Sequence, residues 1–157
     1  KRLYGLAPTA RPAPGLAMYS AQATQRTYAR LADLARDLLE AGLSVVVDAA
    51  LLRQAERGTM RDLARQTGAA FRLVECVAPP EALQVRVAAR VLSGTDASDA
   101  TLEVLDMQQR VQESVPDDWA PWHSVLANDS SLDSLRERAQ MLVARWNESS
   151  NLKTEQF

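Results

Sequence analysis

The run Leu43-Ser44-Val45-Val46-Val47-Asp48 constrains this chain more than any other segment. It is short, apolar and β-branched, it is entered through Gly42 after a long helical pattern, and it ends on a carboxylate. An apolar run without polar alternation predicts a strand over residues 43–49 that is buried on both faces, as in a parallel sheet covered by helices. In open sheets of that kind, ligands bind at the carboxyl ends of the strands. Asp48 is delivered to that edge, so chemistry is sought around it first; the competing reading is an acid that caps the next turn.

The flanking segments alternate helix with strand. Residues 1–6 read as the end of a helix and 7–17 as a loop with Pro8, Pro12, Pro14 and Gly15. From Ser20 to Ala41, Tyr28, Leu31, Ala35, Leu38 and Leu39 recur at three- and four-residue steps, an amphipathic helix that Gly42 stops. A second helix runs from Arg53 to Thr67 and closes at Gly68, and 71–77 is the second strand. Pro79 and Pro80 open a helix to Leu92. A polar loop follows, and Ser98 caps a helix to Glu113. Residues 123–127 form a third strand and 131–147 a final helix, with 148–157 a polar, frayed tail. The order predicts an α/β fold: a parallel sheet with helices on both faces. Three strands are few for so many helices, so part of the sheet is expected to lie outside this chain.

Composition narrows the function. With 157 residues, 46% of them hydrophobic, the chain suffices for one domain, placed at 1–147. A net charge of -2 and a pI near 5.5 argue against a general nucleic-acid or membrane-surface binder and leave a local basic cleft open. Of the 18 basic residues, 16 are Arg, which reflects either a GC-rich genome or phosphate binding. The single Cys76 excludes an internal disulfide and a Cys-based zinc site, and is expected to be a small buried hydrophobe. With no signal pattern and no long apolar run, a cytoplasmic protein is expected. Trp119, Trp122 and Trp146 read as packing residues. His123 is the only histidine, and a lone histidine without a carboxylate or serine partner is usually structural, so it receives no catalytic role. The opening Lys1-Arg2-Leu3, without an initiator Met, reads as a piece of something longer.

Five segments, taken in order, carry a resemblance: Lys1-Arg2-Leu3-Tyr4-Gly5-Leu6, the run Val45 to Arg57, Cys76-Val77-Ala78-Pro79-Pro80-Glu81, Arg86-Val87-Ala88-Ala89-Arg90, and Asp96-Ala97-Ser98-Asp99-Ala100. Together they resemble the later part of a P-loop kinase-like domain, in the group of predicted small kinases related to polynucleotide kinase, gluconate kinase and zeta toxin. The resemblance implies a sheet of order 2-3-1-4-5, of which this chain holds three strands and lacks the first two. It also implies a G-x-x-x-x-G-K-[ST] phosphate loop, the Walker A part, and no such motif occurs in these residues. The absent central strand would lie between 44–49 and 71–77 and leave a slot, where each unsatisfied buried backbone group costs on the order of 1–3 kcal/mol. A missing N-terminal segment of the same protein is therefore expected as its partner.

Position by position, the resemblance implies roles. Asp48 would hold magnesium beside the phosphates of ATP, usually through water. Arg86 and Arg90, one helical turn apart, would neutralise charge on the transferred phosphoryl group, the alternative being a solvated helix face. The loop from Ser93 to Asp99 would be a lid tip or a plain polar turn. Arg57, with Arg53 second to it, would face the acceptor or lie on a helix surface, and Lys1 and Arg2 would border the substrate. Asn128, Asp129 and Ser130 would meet the nucleotide base or serve as a helix N-cap. The implied protein is part of an ATP- and Mg-dependent kinase that phosphorylates a hydroxyl of a small molecule or nucleotide end, nucleic acid being expected only as such an end. The alternative is a degenerate, non-catalytic nucleotide-sensing or interaction module, which Ala50 supports because polynucleotide kinase-like relatives often carry a polar residue there.

Overall fold

The computed structural model describes residues 20–93 and 101–154. In chain order these form α1 (Ala21–Glu40), α2 (Gln54–Gln66), β1 (Leu73–Val77), α3 (Pro80–Ser93), α4 (Leu102–Val111), a single 3-10 turn at Asp117–Trp119, β2 (His123–Ala127) and α5 (Leu132–Thr154). The fold is α/β with a parallel sheet. Contacts divide the chain into two units, one built on α1, α2, the end of α3 and α4, the other on β1, the start of α3, β2 and α5.

The first unit is framed by helix ends that the sequence encodes directly. Ser20 caps α1, its Oγ accepting from the Ala23 N–H at 3.1 Å. Gly42, at φ +80°, turns the chain left-handed, so that its own N–H reaches the Leu39 carbonyl (2.9 Å) and the next N–H reaches Leu38 (3.0 Å). These bonds use carbonyls the helix end would otherwise leave open. Gly68, at φ +69°, ends α2 in the same way, with Ala69 N–H on the Ala64 carbonyl at 2.8 Å. α1 packs on α2, and Arg36 Nη2 donates to Gln66 Oε1 at 2.9 Å. Ala23, Ala35, Met60, Leu63, Ala64 and Val87 are buried.

In the second unit β1 and β2 run parallel, with Leu73 opposite His123 and Val77 opposite Ala127. The ladder is extended at both ends by Leu73 N–H to Trp122 O (2.8 Å) and Asn128 N–H to Val77 O (2.7 Å). α5 packs on β2, and Leu73, Trp119 and Leu142 are buried.

The structure corrects four expectations. Two strands are paired among the described residues, not three: Leu43–Asp48 joins no ladder. A strand exists through its neighbours' hydrogen bonds, and this segment has none. Val45 and Val47 are half-buried, whereas Val46, expected in the interior, is 93% exposed. Cys76 is exposed, because Val74 and Cys76 share a face of β1 that is left open. The helix expected from Ser98 begins at Leu102 and is capped by Thr101, whose Oγ1 accepts from the Val104 N–H; Ser98 lies outside the described residues. The last helix continues past Asn147 to Thr154. No described helix is long and apolar enough to cross a membrane.

The contrast in burial predicts a contrast in stability. Leu63→Ala removes a side chain that is 4% exposed and should cost about 3 kcal/mol in urea unfolding. Val46→Ser should change it by less than about 0.5 kcal/mol. Equal losses would mean that Val46 is covered.

Candidate active site

Asp48 stands at the end of the apolar segment, exposed. Among the described residues its carboxylate makes no hydrogen bond or ion pair. Three residues on, Leu51 has φ +44°, a left-handed backbone that costs a branched L-residue roughly 1–2 kcal/mol and persists only where the surroundings impose it. Here they do so from two sides. The Leu51 N–H donates to the Tyr28 hydroxyl of α1 at 2.9 Å. Burial pushes the Tyr28 phenol above its ordinary value, with the Glu56 charge adding to the rise and the Leu51 N–H opposing it, so the hydroxyl stays neutral.

The other side is residues 113–114, just beyond α4. Glu113 N–H donates to Leu52 O at 2.9 Å. Gln54 N–H, at the start of α2, donates to Glu113 Oε2 at 2.6 Å, and Gln54 Nε2 reaches Ser114 O at 3.4 Å. Arg57 Nη2 donates to Glu113 O (2.9 Å) and Ser114 O (3.0 Å). Arg57 is 4% exposed, the one buried charged residue among those described, and its Nε has no partner. The expectation of a surface helix arginine is thus overturned: the guanidinium sits inside, where only carbonyl oxygens compensate for lost water. Arg53 opens α2, its N–H donating to Glu56 Oε2 at 3.1 Å.

Arg86 and Arg90 lie on the last turns of α3, half-buried and exposed respectively, one turn apart as their spacing requires. Asn128 and Asp129 belong to the second unit. The Asn128 N–H closes the ladder at 2.7 Å. Arg138 Nη1 on α5 donates to Ala127 O (2.8 Å) and to Asp129 Oδ1 (2.5 Å). The Arg138 hydrogen bond holds the Asp129 carboxyl below the ordinary carboxylate range. Ser131, not the triplet 128–130, caps α5, its Oγ accepting from Ser134 N–H at 3.2 Å. No hydrogen bond or ion pair joins any two of Asp48, Arg57, Arg86, Arg90, Asn128 and Asp129. Lys1, Arg2 and the expected lid loop at 94–99 lie outside the described residues.

Among the described residues no three His, Cys, Asp or Glu side chains gather as a metal site. Magnesium needs less than that: one or two carboxylates, with phosphates and water completing an octahedron. A single exposed, unpartnered Asp48 fits that mode.

Sequence reading missed the partners that act across long separations. Gln54 and Glu113 are 59 residues apart, and only the Arg53-to-Glu56 spacing hinted at how α2 begins. His123 does have a carboxylate partner, Glu75 Oε2, at 3.0 Å from Nε2. The parallel register puts them diagonally on one face, which no linear spacing of 48 residues could announce.

A family model described as an AAA domain matches residues 1–115. That span contains Asp48, Arg57, Arg86, Arg90 and Glu113 and stops short of Asn128 and Asp129. No curated protein and no solved structure matches the chain.

Because the folded Asp129 carboxyl is held low, the Arg138 bond contributes in full above the ordinary aspartate range and is lost as pH falls through the lowered value. In Arg138→Ala the Asp129 carboxyl carbon, followed by NMR, should titrate at a higher pH, in the ordinary aspartate range. An unmoved titration would remove Arg138 as the cause.

Proposed function

We propose, from the premise that the chain belongs to the AAA-domain family of P-loop nucleotide-binding domains, that it is part of a cytoplasmic, ATP- and magnesium-dependent phosphotransferase acting on a hydroxyl of a small molecule or nucleotide end. The observation that carries this reading is Asp48: an exposed carboxylate without a partner, ending an apolar segment and followed by a turn held in a costly backbone conformation. Residues held in costly backbone conformations cluster at functional sites, and an exposed carboxylate with no protein partner is open to a hard cation.

Asp48 would hold magnesium, which when bound would supply positive charge beside the nucleotide phosphates. Arg86 and Arg90 would spread the charge that develops on the transferred phosphoryl group. Arg57 serves the acceptor side through the turn it holds. A phosphate-loop strand of such a fold would pair with 43–48; the lack of a ladder there among the described residues and the exposure of Val46 support an edge open to one. A second reading, a non-catalytic nucleotide sensor or interaction module, is favoured by Ala50 and by the lack of G-x-x-x-x-G-K-[ST] within these residues.

In a phosphoryl-transfer assay, Asp48→Asn should lower turnover on the order of a hundredfold while circular dichroism and unfolding stay as in wild type. Full turnover in that variant would refute the assignment. ATP binding without transfer in wild type would favour the sensor, and no ATP binding the interaction module.

A further inference from the structure

The contacts of residues 113–114 form a reciprocal exchange between two helix ends. Glu113, just past the C-terminus of α4, places a carboxylate oxygen 2.6 Å from the first N–H of α2. Arg57, on the first turn of α2, places Nη2 at 2.9 and 3.0 Å from the two carbonyls that follow α4. A helix start carries partial positive charge, so the Glu113 carboxylate meets the sign it needs, while the Arg57 guanidinium meets two carbonyl oxygens of the segment just past α4. The backbone bond from Glu113 N–H to Leu52 O (2.9 Å) lies inside the same exchange. Between it and Asp48 stand only residues 49–51, ending on the left-handed Leu51.

We infer that Arg57 and Glu113 are positioning residues: a latch that fixes the turn after Asp48 to the end of α4, and so sets where the Asp48 carboxylate points. The latch rests on hydrogen bonds alone; its consequence for turnover rests on the phosphotransferase reading. The orphaned Arg57 Nε fits this role. A guanidinium retained in the interior with one donor unanswered is costly and persists where its geometry is needed.

Hydrogen exchange on the 157-residue chain tests the latch without any reaction. Glu113→Ala removes an exposed side chain and spares the core. It should speed exchange of both the Gln54 and Leu51 amides about tenfold or more, leaving the amides of α1 protected. Glu113→Gln, whose amide oxygen still accepts, should restore most of the protection. Leu51 decides, because its N–H bonds Tyr28 and not Glu113. Exchange unchanged at Leu51, or raised equally throughout α1, overturns the latch, since either result shows no local hold on the turn. In a phosphoryl-transfer assay, Glu113→Ala should lower kcat about tenfold at unchanged KM for the nucleotide, with rescue by Glu113→Gln. An unchanged kcat beside faster Leu51 exchange overturns the positioning role. If the wild type transfers no phosphoryl group, the functional reading falls and the exchange result still decides the latch.

Discussion

A guanidinium taken out of water must be answered by oxygen, and around Arg57 that requirement decides how the start of α2 meets the end of α4. The carbonyls it meets are those of Glu113 and Ser114, just beyond the end of α4, and the carboxylate of Glu113 turns back to the Gln54 amide, which the start of α2 leaves unused. The short connection from Asp48 to Gln54 is pinned at Leu51 by Tyr28, at Leu52 by the Glu113 amide and at Gln54 by the Glu113 carboxylate. Leu51 tolerates its left-handed backbone because those partners leave the turn no cheaper path.

The same region shows what the chain does not provide for itself. Val45 to Asp48 has the composition of a central strand and no ladder among the described residues. Among the described residues β1 and β2 pair only with each other, and a two-stranded sheet is marginal without further cover. Val74 and Val125 remain 37% and 58% exposed on opposite faces of that pair. An apolar segment with an open edge is a template for another strand.

Much of the fold was legible because it is encoded locally. Gly42 and Gly68 stop helices through a backbone freedom that needs no tertiary partner, and the run 123–127 was readable as a strand from its composition. The parallel pairing of 71–77 with 123–127 was also expected and found, but individual side-chain partners across long separations were not legible. Val46 and Cys76 are apolar and were expected inside, but a pattern records what a residue suits, not whether the surface meant to cover it is there. Arg57 could be read only as a site or surface arginine, since nothing near it in sequence announces that residues 113–114 will close over it. Glu75 and His123 escaped for the same reason. For the candidate site, Asp48 was legible from strand position alone; the turn that presents it was not.

The account stands on Asp48 being an open magnesium ligand beside a nucleotide. Following its carboxyl carbon by NMR, with magnesium alone and then with magnesium and ATP, tests that directly. A lone carboxylate binds magnesium weakly and phosphates complete its coordination, so the signal should hold still with the metal alone and move when both are present. Nucleotide and magnesium bound with the Asp48 signal unmoved would contradict the account.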